Sequence, residues 1–188
     1  MAKLLIVNSS YRMNSNSTEL SGQVATGAIR AGHEVTTVNI SHMRIEPCRG
    51  CNACMQALEN NCVVQDDMQP LYSYVREADI LILASPIYWF TFCGQIKQFI
   101  DRCYAVASKI DANGKSLFST KTIGAVMTYG DTDPYVSGCV NAIHTLRDIC
   151  NYTGAKWAGA VYGTAEEPGD MRQNAPLLEQ ARVFGQGL

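Results

Sequence analysis

Four cysteines, Cys48, Cys51, Cys54 and Cys62, fall within the sixteen residues PCRGCNACMQALENNC. Their spacing is C-x2-C-x2-C-x7-C. Thiols concentrated in this way bind a metal or carry out redox chemistry more often than they form structural disulfides in a reducing compartment. Three thiolates three residues apart can hold one corner of a [4Fe–4S] cluster while the fourth arrives on a longer arm, and such a cluster needs four ligands.

Other interpretations of the four cysteines stay open. Four thiolates also suit a structural Zn²⁺ ion, although the paired spacing usual for zinc is absent. The cysteines could instead be redox-active thiols, with Cys48–Cys51 or Cys51–Cys54 closing transiently. They could also be remnants that assemble no cluster.

The bulk composition indicates a single globular domain, residues 1–188, with the cysteine-rich loop at 47–67. The net charge of −2 and the absence of a Lys/Arg run argue against nucleic acid or an anionic membrane as partner. The apolar run at the N-terminus is too short for a signal peptide, and no segment approaches the roughly 20 apolar residues that span a bilayer. We therefore expect a cytoplasmic protein.

Five apolar strands are predicted, each followed by a helical pattern. The predicted strands are KLLIVNS, HEVTTVNI, ADILILASPIYW, KTIGAVMTYG and AKWAGAVYG. Asn16 is predicted to cap the first helix and Gly32 to end it, while Pro86 should help to end the third strand. Further helices are predicted at 69–77, at 92–107, from Asp133 to Gly154, and from near Gly169 onward. This alternation predicts an α/β fold: a doubly wound parallel sheet with helices on both faces.

Ligands of open α/β sheets bind at the carboxyl ends of the strands, so the loops there are the first candidates for a site. The first loop, NSSYRMNSNST, lacks a G-x-G-x-x-G fingerprint and a P-loop lysine. It leads directly into a helix N-terminus, where free N–H groups and the helix dipole favour an anion such as a phosphate monoester. A polar turn with an ordinary cap is the alternative.

Two more loops at this edge carry aromatic residues. SPIYWF, residues 85–90, places three aromatic side chains just past a buried strand, where a flat conjugated ring could lie against them. MTYGD, residues 127–131, offers Tyr129 beside a ring and Gly130 for close backbone approach. Packing against a neighbouring helix or subunit, and a simple turn, are the respective alternatives.

The segments IVNSSYRMNSNST, ADILILASPIYWFTFCGQIKQFIDR and MTYGD together resemble the flavodoxin-like NAD(P)H-dependent FMN reductases. The phosphate loop departs from the usual G-S-P-R-x-N-G/S-N-T pattern, because Ser9 replaces the glycine and Tyr11 the proline. The resemblance implies bound FMN, a five-stranded sheet of order 2-1-3-4-5 and hydride transfer from NAD(P)H. It also implies a homodimer or homotetramer.

The same resemblance assigns cofactor residues by position. Those implied to hold the FMN phosphate are Ser10, Arg12, Asn16 and Ser17. Those implied to line the flavin ring are Pro86, Ile87, Tyr88 and Trp89 on one side, with Tyr129 and Gly130 on the other. No catalytic side chain is implied, because the flavin carries the chemistry.

The cysteine spacing resembles the compact motif of the iron–sulfur flavoproteins, a branch of the same group. In that branch a [4Fe–4S] cluster exchanges electrons with FMN, usually across a subunit contact. The predicted function is an FMN-dependent oxidoreductase that passes electrons from NAD(P)H to a flavin, a quinone or a redox protein. The alternatives are a flavodoxin-type electron carrier without pyridine-nucleotide activity and a non-redox binding module.

The remaining polar and thiol residues are expected to be structural. Asp66 and Asp67 are interpreted as capping the next helix, and the three histidines show no metal-ligand spacing. Single thiols pack like small apolar groups, which we expect of Cys93, Cys103, Cys139 and Cys150. The simplest role for Lys97, Asp101 and Arg102 is a charged helix face. The cysteine loop follows the second strand and should therefore lie near the flavin edge of the sheet.

Overall fold

The computed structural model describes residues 1–56 and 62–188, which form six strands and six α-helices. The strands are β1 (Lys3–Asn8), β2 (Glu34–Asn39), β3 (Ile80–Tyr88), β4 (Thr91–Phe92), β5 (Thr122–Tyr129) and β6 (Lys156–Thr164). The helices are α1 (Asn16–Arg30), α2 (Met68–Glu77), α3 (Gly94–Arg102), α4 (Tyr104–Ala107), α5 (Cys139–Thr153) and α6 (Ala175–Gln186). Short 3₁₀ turns cover Ala53–Met55, Leu117–Thr120 and Asp170–Gln173.

The main sheet is parallel throughout, in the order β2-β1-β3-β5-β6. This confirms the predicted flavodoxin-like order, with β5 and β6 as its fourth and fifth strands. The sixth strand, β4, was not predicted: it lies off this path and pairs antiparallel with the end of β3. The chain therefore reverses direction at the carboxyl edge, immediately after the aromatic loop.

Helices cover both faces of the sheet. The core on one face includes apolar side chains of α2, α3 and α5, and the core on the other face includes side chains of α1 and α6. Helices α1 and α6 pack very closely, since a Cβ on Gly27 would lie 2.0 Å from the Arg182 carbonyl oxygen. On the same contact, a Cβ on Gly185 would lie 2.1 Å from the Val24 carbonyl oxygen. This contact fixes α1, and with it the loop that precedes α1.

Several predicted boundaries were wrong. Ser15, rather than Asn16, caps α1 by accepting a hydrogen bond from the Thr18 N–H at 3.2 Å. The helix predicted at 92–107 is two helices, α3 and α4, that meet at Cys103. The helix predicted from Asp133 begins only at Cys139, after turns, and the final helix α6 is preceded by a 3₁₀ turn.

Strand β3 continues to Tyr88, two residues beyond the proline that we expected to end it. Pro86 is in register with Thr128 of β5, whereas pairing with β1 has already stopped at Ala84. Because proline has no N–H to donate, a position at which β3 has lost one neighbour tolerates it. The continuation carries the aromatic residues past the edge of the parallel sheet.

Arg102 is not part of a charged surface, which corrects the sequence-based interpretation. Lys97 and Asp101 do form an exposed ion pair at 2.7 Å, but the Arg102 side chain is 0% exposed and pairs with Asp66, whose side chain is 1% exposed. Burial alone would raise the pKa of Asp66, yet its hydrogen bonds from Arg102 and from backbone N–H groups lower that pKa below its usual value. Asp66 accepts from the Met68 N–H as expected of a capping residue, but its main partner is Arg102.

The cysteine loop leaves the carboxyl edge and packs beside α3 and α4. The Lys109 ammonium donates to the Cys54 carbonyl oxygen, and the Tyr104 hydroxyl donates to the Met55 sulfur at 3.3 Å. Both partners lie beyond the C-terminal end of α3, whose N-terminal end is the one that adjoins β4. Cys54 and Met55 therefore lie beside the C-terminal end of α3, and the position of the loop relative to the flavin edge stays a prediction.

None of the helices in residues 1–56 and 62–188 has the length and apolar character needed to cross a bilayer.

Candidate active site

A cavity of about 170 Å³ opens at the carboxyl edge of the sheet, between the loops that follow β1, β3, β5 and β6. Nine of the ten predicted cofactor residues line it: Ser10, Arg12, Asn16, Ser17, Pro86, Ile87, Tyr88, Tyr129 and Gly130. The tenth, Trp89, is not in the cavity wall. The sequence analysis missed four lining residues: Ser15, Thr128, Ala165 and Glu166.

Buried hydroxyl groups surround the N-terminus of α1. Ser10, Ser15 and Ser17 are all buried, and the Ser15 and Ser17 hydroxyl oxygens lie 3.1 Å apart. The Ser10 hydroxyl accepts from the Arg12 N–H at 3.3 Å, which curls the loop over the start of the helix. Hydroxyl donors at a helix N-terminus can hold an anion, because the helix dipole and the first N–H groups act in the same direction.

The Asn16 side chain has a different main contact from the one we predicted. Its amide nitrogen donates to the Glu167 carbonyl oxygen at 2.8 Å. Its amide oxygen accepts from the N–H groups of Gly169 and Met171 at 3.0 and 3.1 Å. Asn16 therefore holds the segment after β6 against α1 and shapes the wall of the cavity. Direct contact of Asn16 with a phosphate stays a prediction.

Arg12 supplies a positive charge at the rim of the cavity. The side chain is exposed, and its guanidinium donates to the Glu166 carbonyl oxygen at 3.3 Å. One of its five N–H donors is thereby used, and the others can reach an anion in the cavity. The segment after β6 contributes Ala165 and Glu166, and it could have been found from the rule that sites lie at the carboxyl ends of strands.

A buried polar contact lies directly below the first loop. The Ser9 hydroxyl donates to the Ala84 carbonyl oxygen at 2.9 Å and lies 3.2 Å from the Cys93 sulfur. The Cys93 N–H donates to the Ser85 hydroxyl at 3.2 Å. Cys93 is buried as predicted, and it also joins the first loop to the end of β3 and the start of α3.

Trp89 and Phe90 form a strained hairpin turn between β3 and β4. Their φ angles are +49° and +68°, and the flanking pairs are Ile87–Phe92 and Tyr88–Thr91. Two central residues at positive φ define a type I′ turn, which strongly prefers Asn-Gly. Each bulky residue in this left-handed conformation costs roughly 1–2 kcal/mol.

The surrounding structure maintains this strained turn. The Asn141 amide donates to the Phe90 carbonyl oxygen at 3.0 Å, and Gly138, at φ +81°, lies directly against the Phe90 backbone. A Cβ on Gly138 would lie 2.3 Å from the Phe90 carbonyl oxygen. The turn presents Trp89 to solvent with 91% of its surface exposed. Strain of this kind concentrates at functional sites, so the exposed indole is a candidate ligand-binding surface.

We expect the double substitution Trp89→Asn and Phe90→Gly to raise the free energy of unfolding by about 1–2 kcal/mol, because it supplies the residues that a type I′ turn prefers. The same variant should bind flavin more weakly, because it removes two aromatic surfaces beside the cavity. Urea unfolding monitored by circular dichroism measures the first effect, and flavin fluorescence titration measures the second. A variant that is destabilised, or that binds flavin as tightly as the wild type, contradicts the assignment of strain and function to this turn.

Tyr129 forms part of the cavity wall at the end of β5. Burial raises the pKa of its phenol to about 12. Its ring is tilted against that of Tyr162, with centroids 6.4 Å apart. Gly130 lines the cavity as predicted, but a Cβ there would meet Glu166 at an ordinary 3.5 Å. An added Cβ would therefore not collide with the protein, and close approach of the Gly130 backbone to a flavin ring stays a prediction.

The four loop cysteines are free thiols. Cys48 and Cys51 are exposed, whereas Cys54 and Cys62 are half-buried. Burial, and then the nearby thiols of Cys62 and Cys48, raise the pKa of Cys54, so each of those two thiols lies within electrostatic reach of Cys54. Across residues 1–56 and 62–188, no three His, Cys, Asp or Glu side chains converge closely enough to hold a metal ion. Much of the arm between Cys54 and Cys62 lies outside the described residues.

Sequence comparison places the chain in a family. Residues 2–167 match the NADPH-dependent FMN reductases. The chain belongs to this family. As an FMN reductase by family, it is a flavoprotein oxidoreductase that uses NAD(P)H.

Relatives of this FMN reductase include an iron–sulfur flavoprotein of Methanosarcina thermophila, 27% identical over 165 residues, which cover 88% of this chain and 85% of the relative. A second is the iron–sulfur flavoprotein MJ1083 of Methanocaldococcus jannaschii, 25% identical over 203 residues, covering 97% and 93% of the two chains. Among solved structures, an NAD(P)H:quinone oxidoreductase from Methanothermobacter marburgensis superposes with a TM-score of 0.76 at 17% identity, covering 99% and 96%. This last similarity supports the fold of the reductase.

Proposed function

We propose that the protein transfers electrons from NAD(P)H, through FMN bound in the carboxyl-edge cavity, to a flavin, quinone or redox-protein acceptor. The observation that carries this proposal is the cavity itself, which gathers nine of the ten residues implied by the family resemblance. Those residues come from three separate segments of the chain, so their convergence was not guaranteed by their spacing in the sequence.

The residues present fit FMN in both of its parts. The buried hydroxyls at the start of α1 and the guanidinium of Arg12 provide donors for a dianionic phosphate. Tyr88 and Tyr129 provide flat surfaces on two sides of the cavity for the ring, with the exposed Trp89 beyond Tyr88. The phosphate of FMN is thus assigned to the loop after β1, and its ring is assigned to the ends of β3 and β5.

FMN, when bound, supplies the hydride and electron chemistry. The chain's own residues orient it: Ser10, Ser17 and Arg12 hold the phosphate, while Tyr129 limits the ring from one side. No side chain of the cavity is assigned as a general acid or base. The proposal therefore predicts that substitutions lower the activity by weakening FMN binding, and not by removing a group that transfers protons.

We further propose that Cys48, Cys51, Cys54 and Cys62 hold a [4Fe–4S] cluster. The donor chemistry fits, because the four cysteines are unpaired thiols, and Cys62 and Cys48 each lie within electrostatic reach of Cys54. The printed names of the M. thermophila and M. jannaschii relatives also identify those proteins as iron–sulfur flavoproteins. The test below has three other outcomes: the cysteines bind zinc, they act as redox-active thiols, or they assemble no cluster.

The arrangement favours a homodimer or homotetramer in the cytoplasm. Among the described residues, no cysteine lines the flavin cavity, and the cysteine loop lies beside α3 and α4. The proposed cluster would therefore exchange electrons with the FMN of a second subunit. An apolar groove of about 570 Å³ beside the same helices, lined in part by Cys48, Ile100 and Tyr152, is a suitable contact surface. Unpaired thiols are typical of a reducing compartment.

The proposed function is tested on protein purified and assayed without oxygen. We expect NADH or NADPH to be oxidised in the presence of FMN or a quinone. We also expect the absorption spectrum to show, in addition to the flavin bands, a broad band at about 400 nm from the cluster, together with about four irons per chain. Flavin bands without iron would leave a simple FMN reductase, and bound zinc would replace the cluster. No turnover with either nucleotide would instead support an electron carrier, and failure to take up FMN would support a non-redox module.

A further inference from the structure

The buried guanidinium of Arg102 joins the two ends of the cysteine loop. One terminal nitrogen donates to the Glu46 carbonyl oxygen at 2.8 Å, two residues before Cys48. The other donates to the Val64 carbonyl oxygen at 3.4 Å, two residues after Cys62. Both terminal nitrogens also bind the Asp66 carboxylate, at 2.5 and 3.1 Å. One side chain on α3 therefore determines where the loop leaves the fold and where it returns.

Two further side chains reinforce the same junction. The Asp66 carboxylate accepts from the Glu46 N–H at 2.8 Å, so it bridges the two ends directly. The Gln69 amide donates to the carbonyl oxygens of Cys62 and Val64 at 2.7 and 2.6 Å. The backbone of Cys62 is thus held from α2 while its neighbours are held from α3.

Tyr72 adds a buried contact to the same junction. The Arg102 Nε donates to the Tyr72 hydroxyl oxygen at 3.1 Å, so the phenolic hydrogen is directed elsewhere. Tyr72 is completely buried, and Cys62 packs against the same core.

We propose that Arg102 is the positioning residue of the cysteine loop, fixing the separation between Cys48 and Cys62 so that the four thiols can face one cluster. This proposal rests on the proposed cluster. Arginine suits the role because its rigid guanidinium offers five donors, and here they reach Glu46, Val64, Asp66 and Tyr72 together. A lysine would keep the charge but could not make these contacts simultaneously.

The test separates positioning from stability. Removing Arg102 alone leaves the Asp66 carboxylate buried without its partner, which strongly destabilises a fold, whereas removing both charges is often close to neutral. The double variant Arg102→Met/Asp66→Asn does the latter, and its new amide oxygen can still accept from the Glu46 N–H. The matched control is Lys97→Met/Asp101→Asn, which removes the exposed ion pair of the same helix.

The first measurement needs no cluster. Nitroxide labels on Cys48 and Cys62, in a background of Cys51→Ser and Cys54→Ser, report the separation of the two sites through dipolar broadening of the EPR spectrum. We expect one narrow separation in that background and in the control, and a broad distribution in Arg102→Met/Asp66→Asn. Arg102→Lys keeps the charge opposite Asp66 and should show the same broad distribution of label separations. It replaces the double variant in this measurement if the double variant does not fold.

The second measurement is iron content after anaerobic reconstitution of the full chain. We expect the wild type and the control to hold equal iron, and both Arg102 variants to hold at least about fivefold less while melting as folded proteins. Folded Arg102 variants that keep the narrow label separation overturn the positioning role. A wild type without iron, but with the label result as expected, overturns the cluster and leaves the control of loop geometry by Arg102 in place.

Discussion

A Ser17→Asp variant is expected to fold like the wild type and to bind FMN at least about 100-fold more weakly. The Ser17 side chain is buried within the cluster of hydroxyls at the start of α1, and it lines the cavity. A carboxylate there would occupy the anion position and repel the phosphate, and it would also remove a hydroxyl donor. Hydrogen bonds to charged groups contribute roughly 1.5–3 kcal/mol each, and about 1.4 kcal/mol corresponds to a tenfold change in Kd.

The control for this variant is Thr18→Asp, which adds the same charge one residue later in the first helical turn. Thr18 is half-exposed and does not line the cavity, so FMN binding should change by less than about threefold. Isothermal titration with FMN and with riboflavin, which lacks the phosphate, measures both variants. Two results would contradict a phosphate site at Ser17. The two aspartate variants could weaken FMN binding equally, or Ser17→Asp could weaken the binding of FMN and of riboflavin equally.

A Gly138→Ala substitution is expected to lower the free energy of unfolding by about 2–5 kcal/mol. Gly138 has a φ of +81°, where a non-glycine residue costs roughly 1–2 kcal/mol, and its added Cβ would collide with the Phe90 backbone. Overpacking of this kind costs roughly 1–3 kcal/mol more. Relief of the collision would move the Trp89–Phe90 turn, so flavin binding should weaken as well.

The comparison for Gly138→Ala is Gly114→Ala, another glycine at positive φ, +77°, but with open space around the Cβ position. Gly114→Ala should lower the free energy of unfolding only by the cost of positive φ for alanine, about 1–2 kcal/mol, and it should leave flavin binding unchanged. Denaturant unfolding and flavin fluorescence titration measure both variants. If the two alanine variants behave alike, the contact between Gly138 and the aromatic turn does not determine the position of that turn.

The fold was largely predictable because its signals are local. The apolar runs that became β1, β3 and β5 are buried on both faces, and helix patterns separate them in sequence. The first loop of the cavity was predictable for the same reason, since a polar loop between a buried strand and a helix N-terminus is visible in the sequence. The sequence did not show that Ser15 rather than Asn16 caps α1, because either is a good capping residue. The hydrogen bonds between Asn16 and residues 167–171 have no local signature in the sequence.

The parts that were not predicted depend on contacts between distant residues. Arg102 follows Asp101 on an amphipathic helix, where charge usually indicates solvent, and its partner Asp66 lies 36 residues earlier in the chain. Trp89 and Phe90 are poor residues for a tight turn, so the hairpin depends on Gly138 and Asn141, about fifty residues away. The position of Cys54 and Met55 likewise depends on Lys109 and Tyr104.

The central claim is that FMN lies at the carboxyl edge, with its phosphate at α1 and its ring between the aromatic loops. A crystal structure of the protein grown with FMN tests it most directly. The account predicts the phosphate within hydrogen-bond distance of Ser10, Ser17 or Arg12, and the flavin ring in contact with Tyr88 and Tyr129. An empty cavity, or FMN bound instead in the apolar groove beside α3 and α5, would contradict it.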